Sequence, residues 1–181
     1  MLHKMGLEVP AEAIDGTKTP ARTALSDALC SVGTAGRGGT GSFMSRDGLL
    51  LTNWHVAYDA VQRALLDATG NADYVRDGYV AASRSSEMEA PNYECWITQG
   101  CSGVSSRVLE RVDAGMDPLE RANAIRDARQ DIAQAAQERA AAGAQTGGIR
   151  CDVAEMIPNK SYVVFTYQRL RDVRIVYVPP K

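Results

Sequence analysis

Apolar and polar positions change rhythm along this chain, and each change marks an element. Phe43–Met44 and Leu49–Thr52 are two short apolar runs joined by Ser45-Arg46-Asp47-Gly48, the pattern of two strands and a hairpin turn. From Val56 the period becomes helical. Val56, Ala60, Val61, Ala64, Leu65 and Ala68 share one face, which predicts a helix over 56–69 that Gly70-Asn71 stops. Upstream, residues 1–20 are turn-rich, with Pro10, Gly16 and Pro20, and Thr23 to Ser31 reads as a short helix running into a strand. Residues 71–92 read as loop and short turns, and Tyr93 to Thr98 as a strand.

The second half is helical first and extended afterwards. Ser102 to Val112 carries Val104, Val108, Leu109 and Val112 at helical spacing, with Ser102 placed to cap it. Asp117-Pro118-Leu119-Glu120 is a strong helix start. Asp117 can cap, Pro118 suits the first turn, and Glu120 completes a capping box. That helix is expected to run to about Ala142 and end at Gly143, with a buried stripe of Leu119, Ala122, Ile125, Ala128, Ile132 and Ala135. Ala144 to Gly148 reads as a linker. Three strand-like runs follow, Ile149–Ile157, Ser161–Gln168 and Val173–Val178, separated by Pro158-Asn159-Lys160 and Arg169-Leu170-Arg171-Asp172. Strands, then helices, then strands predict a β domain with a helical insertion, α+β overall, divided at 1–100, 101–148 and 149–181.

Composition narrows the function classes. The 181 residues are 45% hydrophobic with a net charge of -2, enough apolar material for a core and no basic face for nucleic acid. No apolar run approaches the roughly 20 residues of a membrane helix. The start, Met1-Leu2-His3-Lys4-Met5-Gly6, lacks the apolar region of a signal peptide, which leaves a cytosolic protein or a chain cut at its start. Cys30, Cys95, Cys101 and Cys151 have neither Cys-x-x-Cys spacing nor a nearby histidine, so no zinc site is predicted. Buried free thiols are the simple expectation; a disulfide such as Cys95 with Cys101 is one alternative that spacing cannot assign.

Three motifs bear on chemistry. Gly36-Arg37-Gly38-Gly39-Thr40-Gly41 matches the dinucleotide pattern Gly-x-Gly-x-x-Gly, but no helix follows to receive a pyrophosphate. The glycines are better read as permitting tight turns and close backbone approach. Gly100-Cys101-Ser102-Gly103 resembles a serine nucleophile loop, but it leads straight into the predicted helix, where Ser102 serves better as a cap. His55 is the serious candidate. It stands where an apolar strand meets a helix, firmly flanked yet able to point out of the core, as a general base requires.

Several of these segments together resemble serine peptidase family forty-six, the bacterial dipeptidyl-peptidase 7 and 11 type. The likeness runs through Gly38-Gly39-Thr40-Gly41-Ser42-Phe43, Asp47-Gly48-Leu49, and Leu51-Thr52-Asn53-Trp54-His55 with Tyr58 and Ala60. It continues at Asp77-Gly78-Tyr79-Val80-Ala81 with Glu87, at Arg150-Cys151-Asp152-Val153, at Tyr162 through Tyr167, and at Asp172 to Pro180. The resemblance implies a chymotrypsin-like double β-barrel with an inserted helical domain, of which this chain holds an incomplete first barrel and part of the insertion. It implies release of dipeptides from peptides with a free N-terminus by a Ser-His-Asp triad in which His55 is the histidine. It implies no metal or organic cofactor, a periplasmic or secreted location, and a homodimer for the full-length protein.

Two departures from the family pattern concern the neighbourhood of His55. Many members carry a bridged pair of cysteines where this chain has Gly39 and Val56, and often a histidine where it has Trp54. Both cysteines are absent together, which leaves no orphan thiol. The family's aspartate lies in a Gly-Asp-Phe segment and its serine in Gly-Asn-Ser-Gly-Ser-Pro, and neither segment occurs here. The chain is therefore expected to be an N-terminal portion, inactive alone. The alternative expectation is a non-catalytic module that binds peptides or a partner through an open strand edge.

Overall fold

The computed structural model describes residues 4, 6, 8–10, 13–14, 24–34, 37–67, 73–143 and 148–181. The expected turns of the first twenty residues, the stop at Gly70-Asn71 and most of the 144–148 linker fall wholly or largely outside them. The fold mixes helices with antiparallel strands, and the chain divides into two compact units: residues 24–96 with 170–181, and residues 97–169 with 1–23.

In the first unit a short 3-10 turn, Leu25–Ala28, feeds strand β1 (Leu29–Thr34). β1 pairs antiparallel with β2 (Arg37–Phe43), and β2 pairs with β3 (Leu50–Thr52). The alternation buries Cys30 and Val32 and exposes Leu29 and Ser31, as a half-buried strand should. Helix α1 (Trp54–Asp67) follows almost at once, burying Val56, Ala60, Val61 and Ala64 of the face its periodicity predicted; Leu65 is half-buried and Ala68 lies outside the described residues. The stretch expected as loop contains short elements: α2 (Tyr74–Asp77), β4 (Tyr79–Val80) and β5 (Met88–Glu89).

Both two-residue strands are paired by the end of the chain. β5 pairs with β9 (Arg174–Ile175), and β4 with β10 (Tyr177–Val178). The expected strand Val173–Val178 is thus two short strands. Gly78, at φ 75°, lies so close to Val178 O and Pro180 that a Cβ would stand 2.8 Å from each nearest atom, so the turn requires glycine. Ala60, Ala90 and Tyr93 form a small core against Val173 and Ile175.

Strand β6 (Glu94–Gly103) begins in the first unit and ends in the second. It is longer than its apolar stretch because Thr98 to Gly103, though polar, still belongs to a ladder with order β6-β8-β7. The helix expected from Ser102 is therefore only one turn, α3 (Ser105–Leu109), and Ser102 lies in the strand instead of capping. Ser105 makes the local anchor: its hydroxyl accepts from Tyr162 N at 2.9 Å.

Helix α4 (Pro118–Gly143) starts as predicted. Asp117 Oδ1 accepts from Leu119 N and Glu120 N at 2.8 and 2.9 Å, and Glu120 Oε2 accepts from Asp117 N at 3.1 Å. Its packed face is shifted from the expected one. Ile125, Ala128 and Ile132 are buried, but Leu119 is 70% exposed and Ala122 is exposed too. Ala136 and Ala140 continue the stripe in place of the first turn.

The helix covers a hairpin of β7 (Ile149–Ile157) and β8 (Ser161–Leu170). Ile125, Ala128, Ile132, Val108, Val153 and Tyr162 belong to this core, where each fully buried aliphatic side chain contributes about 1.5–3 kcal/mol. β7 ends the strand order, and α4 shields it: Arg129 donates through Nε and Nη2 to Val153 O at 3.0 and 2.7 Å. The hairpin turn contains Asn159 at φ 58°. Glu155 Oε1 accepts there from Asn159 N at 2.6 Å and from the Tyr162 hydroxyl at 2.8 Å. These bonds, the Asn159 amide first, hold the Glu155 carboxyl below its ordinary 4.5.

Candidate active site

The site is built from the β2–β3 hairpin and the first turn of α1. Met44 N donates to Leu49 O at 2.8 Å, and the Ser45 hydroxyl accepts from Asp47 N and Leu49 N at 3.2 and 3.3 Å. Gly48, at φ 86°, completes the turn in a conformation that favours glycine. The register Phe43↔Leu50, Ser42↔Leu51, Gly41↔Thr52 then delivers the chain to Asn53. Thr52 locks the end of the hairpin by donating its hydroxyl to Thr40 O at 2.9 Å. The Asn53 carbonyl accepts from Val56 N at 3.0 Å and Ala57 N at 3.3 Å, so the helix starts without slack.

His55 is the second residue of α1 and is exposed. Its neighbour Val56 is only 7% exposed and is held in two ways. Its side chain fits over Gly39 of β2, where an ideal Cβ would lie 2.5 Å from Val56 Cγ2. Its carbonyl accepts from the buried Tyr93 hydroxyl at 2.8 Å. Burial raises the Tyr93 phenol above its ordinary value, so the hydroxyl keeps its proton and remains a donor. The imidazole thus projects from a rigid base into solvent. Trp54 packs edge-on against Tyr58, with ring centroids 5.6 Å apart, and both rings remain partly exposed.

Gly39 and Val56 face each other, so the positions at which family resemblance implied a bridge are in contact here through a valine and a glycine. From Arg37 onward the glycine run forms a strand, which corrects the expectation of turns there, while Gly36 lies outside the described residues; close approach does hold. A Cβ at Gly38 would lie 2.6 Å from Val32 O, and one at Gly41 2.8 Å from Leu50 Cδ2. β2 continues to Phe43, so no helix opens directly after these glycines, as the dinucleotide pattern requires.

Ser102 is exposed on β6, outside the unit that carries His55. Among the described residues the imidazole has no carboxylate or hydroxyl partner, and no group of three or more His, Cys, Asp or Glu side chains could hold a metal. Nor is any described helix long and apolar enough to cross a membrane. Sequence reading missed Tyr93 as a support for the site. Its partner is 37 residues away, and no local pattern signals such a bond.

The whole chain, residues 1–181, matches the family model described as Peptidase S46. It is 28% identical over 182 residues to an Asp/Glu-specific dipeptidyl-peptidase of Shewanella putrefaciens, covering 99% of this chain and 22% of that protein. It is 28% identical over 180 residues to dipeptidyl-peptidase 7 of Capnocytophaga gingivalis, covering 99% of this chain and 23% of that one. The crystal structure of Porphyromonas endodontalis DPP11 in complex with substrate superposes with a TM-score of 0.72 at 26% identity, over 98% of this chain and 24% of that chain. The present chain therefore spans less than a quarter of the length of these relatives.

Proposed function

Because the chain belongs to the peptidase S46 family, we propose that it forms the histidine-bearing part of a serine-type dipeptidyl aminopeptidase. Its substrates are peptides with a free N-terminus, from which dipeptides are released. The observation that carries this reading is the mounting of His55: exposed, on the first turn of α1, beside a valine gripped at both its side chain and its carbonyl. In the proposed mechanism the imidazole takes the proton of a serine hydroxyl as that oxygen attacks the carbonyl, then returns it to the departing amine. An aspartate orients the ring. Both partners come from segments reading Gly-Asp-Phe and Gly-Asn-Ser-Gly-Ser-Pro, which these 181 residues do not contain. Residues 1–100 and 149–181 are then parts of a chymotrypsin-like barrel, and 101–148 is part of a helical insertion. The reaction calls for no metal or organic cofactor. The enzyme works in the periplasm or outside the cell, as a homodimer.

The test uses a polypeptide joining these residues to sequence with both missing segments. It should release dipeptides from a free-amine peptide and not from its N-acetyl counterpart. His55→Ala should lower turnover by about 10⁴-fold or more. Undiminished turnover in that variant refutes the role of His55. The 181 residues alone should not react with a fluorophosphonate serine probe, and labelling would show that a nucleophile lies within them.

A further inference from the structure

His55 stands on the first turn of a helix, the part that frays most readily, yet a general base must be held to within about 0.5 Å. Asn53 O ties that turn to the strand before it, through Val56 N and Ala57 N. The second tie comes from outside the helix. The Tyr93 hydroxyl donates to Val56 O at 2.8 Å across 37 residues. Within a helix that carbonyl already has the amide four residues on as its partner, so the hydroxyl is not needed to satisfy it. What the extra bond adds is attachment. Tyr93 is itself firmly placed. It is buried and enters from a turn, with Asn92 at φ 64° and Tyr93 N donating to Ala90 O at 3.0 Å. Strand β6 begins at the next residue. Tyr93 shares its small core with Ala60 and Ala90, packed against Val173 and Ile175, and Ala90 N donates to Val173 O at 3.0 Å. The end of the chain thus braces the tyrosine that holds the helix.

We propose that Tyr93 is a positioning residue for the reaction: its hydroxyl fixes the first turn of α1, and so the point from which the His55 imidazole takes and returns its proton. The kinetic part rests on the peptidase reading; the tether itself does not. A buried side chain offers a substrate no surface, so Tyr93 does not act on substrate binding. It acts through His55, whose proton transfer counts only in the transition state. Loss of the hydroxyl should therefore lower kcat and leave KM alone. A misplacement of about 1 Å can cost around a hundredfold, so the smaller shift allowed by one lost bond should cost roughly tenfold.

The test compares Tyr93→Phe, which keeps the ring in its core, with Tyr162→Phe, which deletes the bonded hydroxyl of a buried tyrosine in the other unit. In the 181-residue chain, hydrogen exchange at Val56, Ala57 and Ala60 should quicken several-fold in Tyr93→Phe and not in Tyr162→Phe. Val173→Ala loosens the brace and keeps the hydroxyl; it should quicken the same amides to a smaller degree, and it carries the test if Tyr93→Phe does not fold. In the polypeptide that also contains the two missing segments, Tyr93→Phe should lower kcat about tenfold with KM unchanged, and Tyr162→Phe should change neither. Exchange that stays unchanged, or that quickens equally in Tyr162→Phe, overturns the tether. Quickened exchange with undiminished kcat, a loss confined to KM, or an equal fall of kcat in both variants overturns the kinetic role. If the parent of that longer polypeptide releases no dipeptide, the peptidase reading fails and the kinetic role with it, while exchange still decides the tether.

Discussion

Replacing Gly39 by alanine puts a methyl where Val56 already stands. The new Cβ would lie 2.5 Å from Val56 Cγ2, with Cβ and Cγ1 at 3.7 Å. Carbon atoms rest at about 3.5–4.0 Å, so roughly 1 Å must be found. Val56 cannot readily supply it. A helical valine has one strongly preferred rotamer, and this one is buried and carries the Tyr93 hydrogen bond. Overpacking of this kind costs about 1–3 kcal/mol, which outweighs the gain of up to about 1 kcal/mol that alanine usually brings over glycine within a strand. Gly39→Ala should therefore destabilise by about 2 kcal/mol.

Val56→Ala removes two methyl groups from a buried site, a loss of about 2 kcal/mol with its cavity. If the contact is as described, the methyl introduced by Gly39→Ala fills the space vacated at Val56. The double variant should then lose about 1–2 kcal/mol, in place of the roughly 4 expected for independent sites. Urea unfolding followed by far-ultraviolet circular dichroism measures each corner of the cycle. Gly100→Ala is the control, since nothing lies within 4 Å of its ideal Cβ, and it should cost nothing. Losses at 39 and 56 that add to within about 0.5 kcal/mol would refute the reasoning.

The α4 unit should respond unevenly to truncation along its helix. Ile132→Ala should cost about 2–5 kcal/mol, and Leu119→Ala should stay within about 0.5 kcal/mol; equal losses in urea would contradict the shifted face. Glu155 is held below its ordinary 4.5 by the Asn159 amide and then the Tyr162 hydroxyl. A depressed carboxyl stabilises fully above its unfolded value, and that contribution is lost as pH falls through the folded one. Acid unfolding curves should thus show a smaller stability loss below about pH 4.5 for Glu155→Gln than for the parent, and a carboxyl titration by NMR at or above 4.5 would dismiss the effect.

The elements read correctly from the sequence are those whose signals are local. The start of α4 is decided by Asp117, Pro118 and Glu120 within one turn, and the structure shows each expected cap bond. The buried face of α1 follows from a period that every residue of the helix shares. His55 stood out because a strand, a turn and a helix start converge within a few residues, and the chain's segments were specific enough to point to the right family.

Tertiary pairing decided the rest. Gly38, Gly39 and Gly41 look like turn residues, yet pairing with β1, and at Gly41 with β3 as well, makes them a strand, where the missing Cβ admits Val32, Val56 and Leu50. Thr98 to Gly103 has no apolar alternation, and a neighbouring strand keeps it extended. Leu119 fits the helical stripe but has no element over it among the described residues, so periodicity alone placed it in a core that begins six residues later at Ile125. The sequence could nominate His55, because position along the chain is a local property. The grip on Val56 by Gly39 and Tyr93 exists only after residues far apart in the chain pack together, and no local pattern encodes which distant groups will meet.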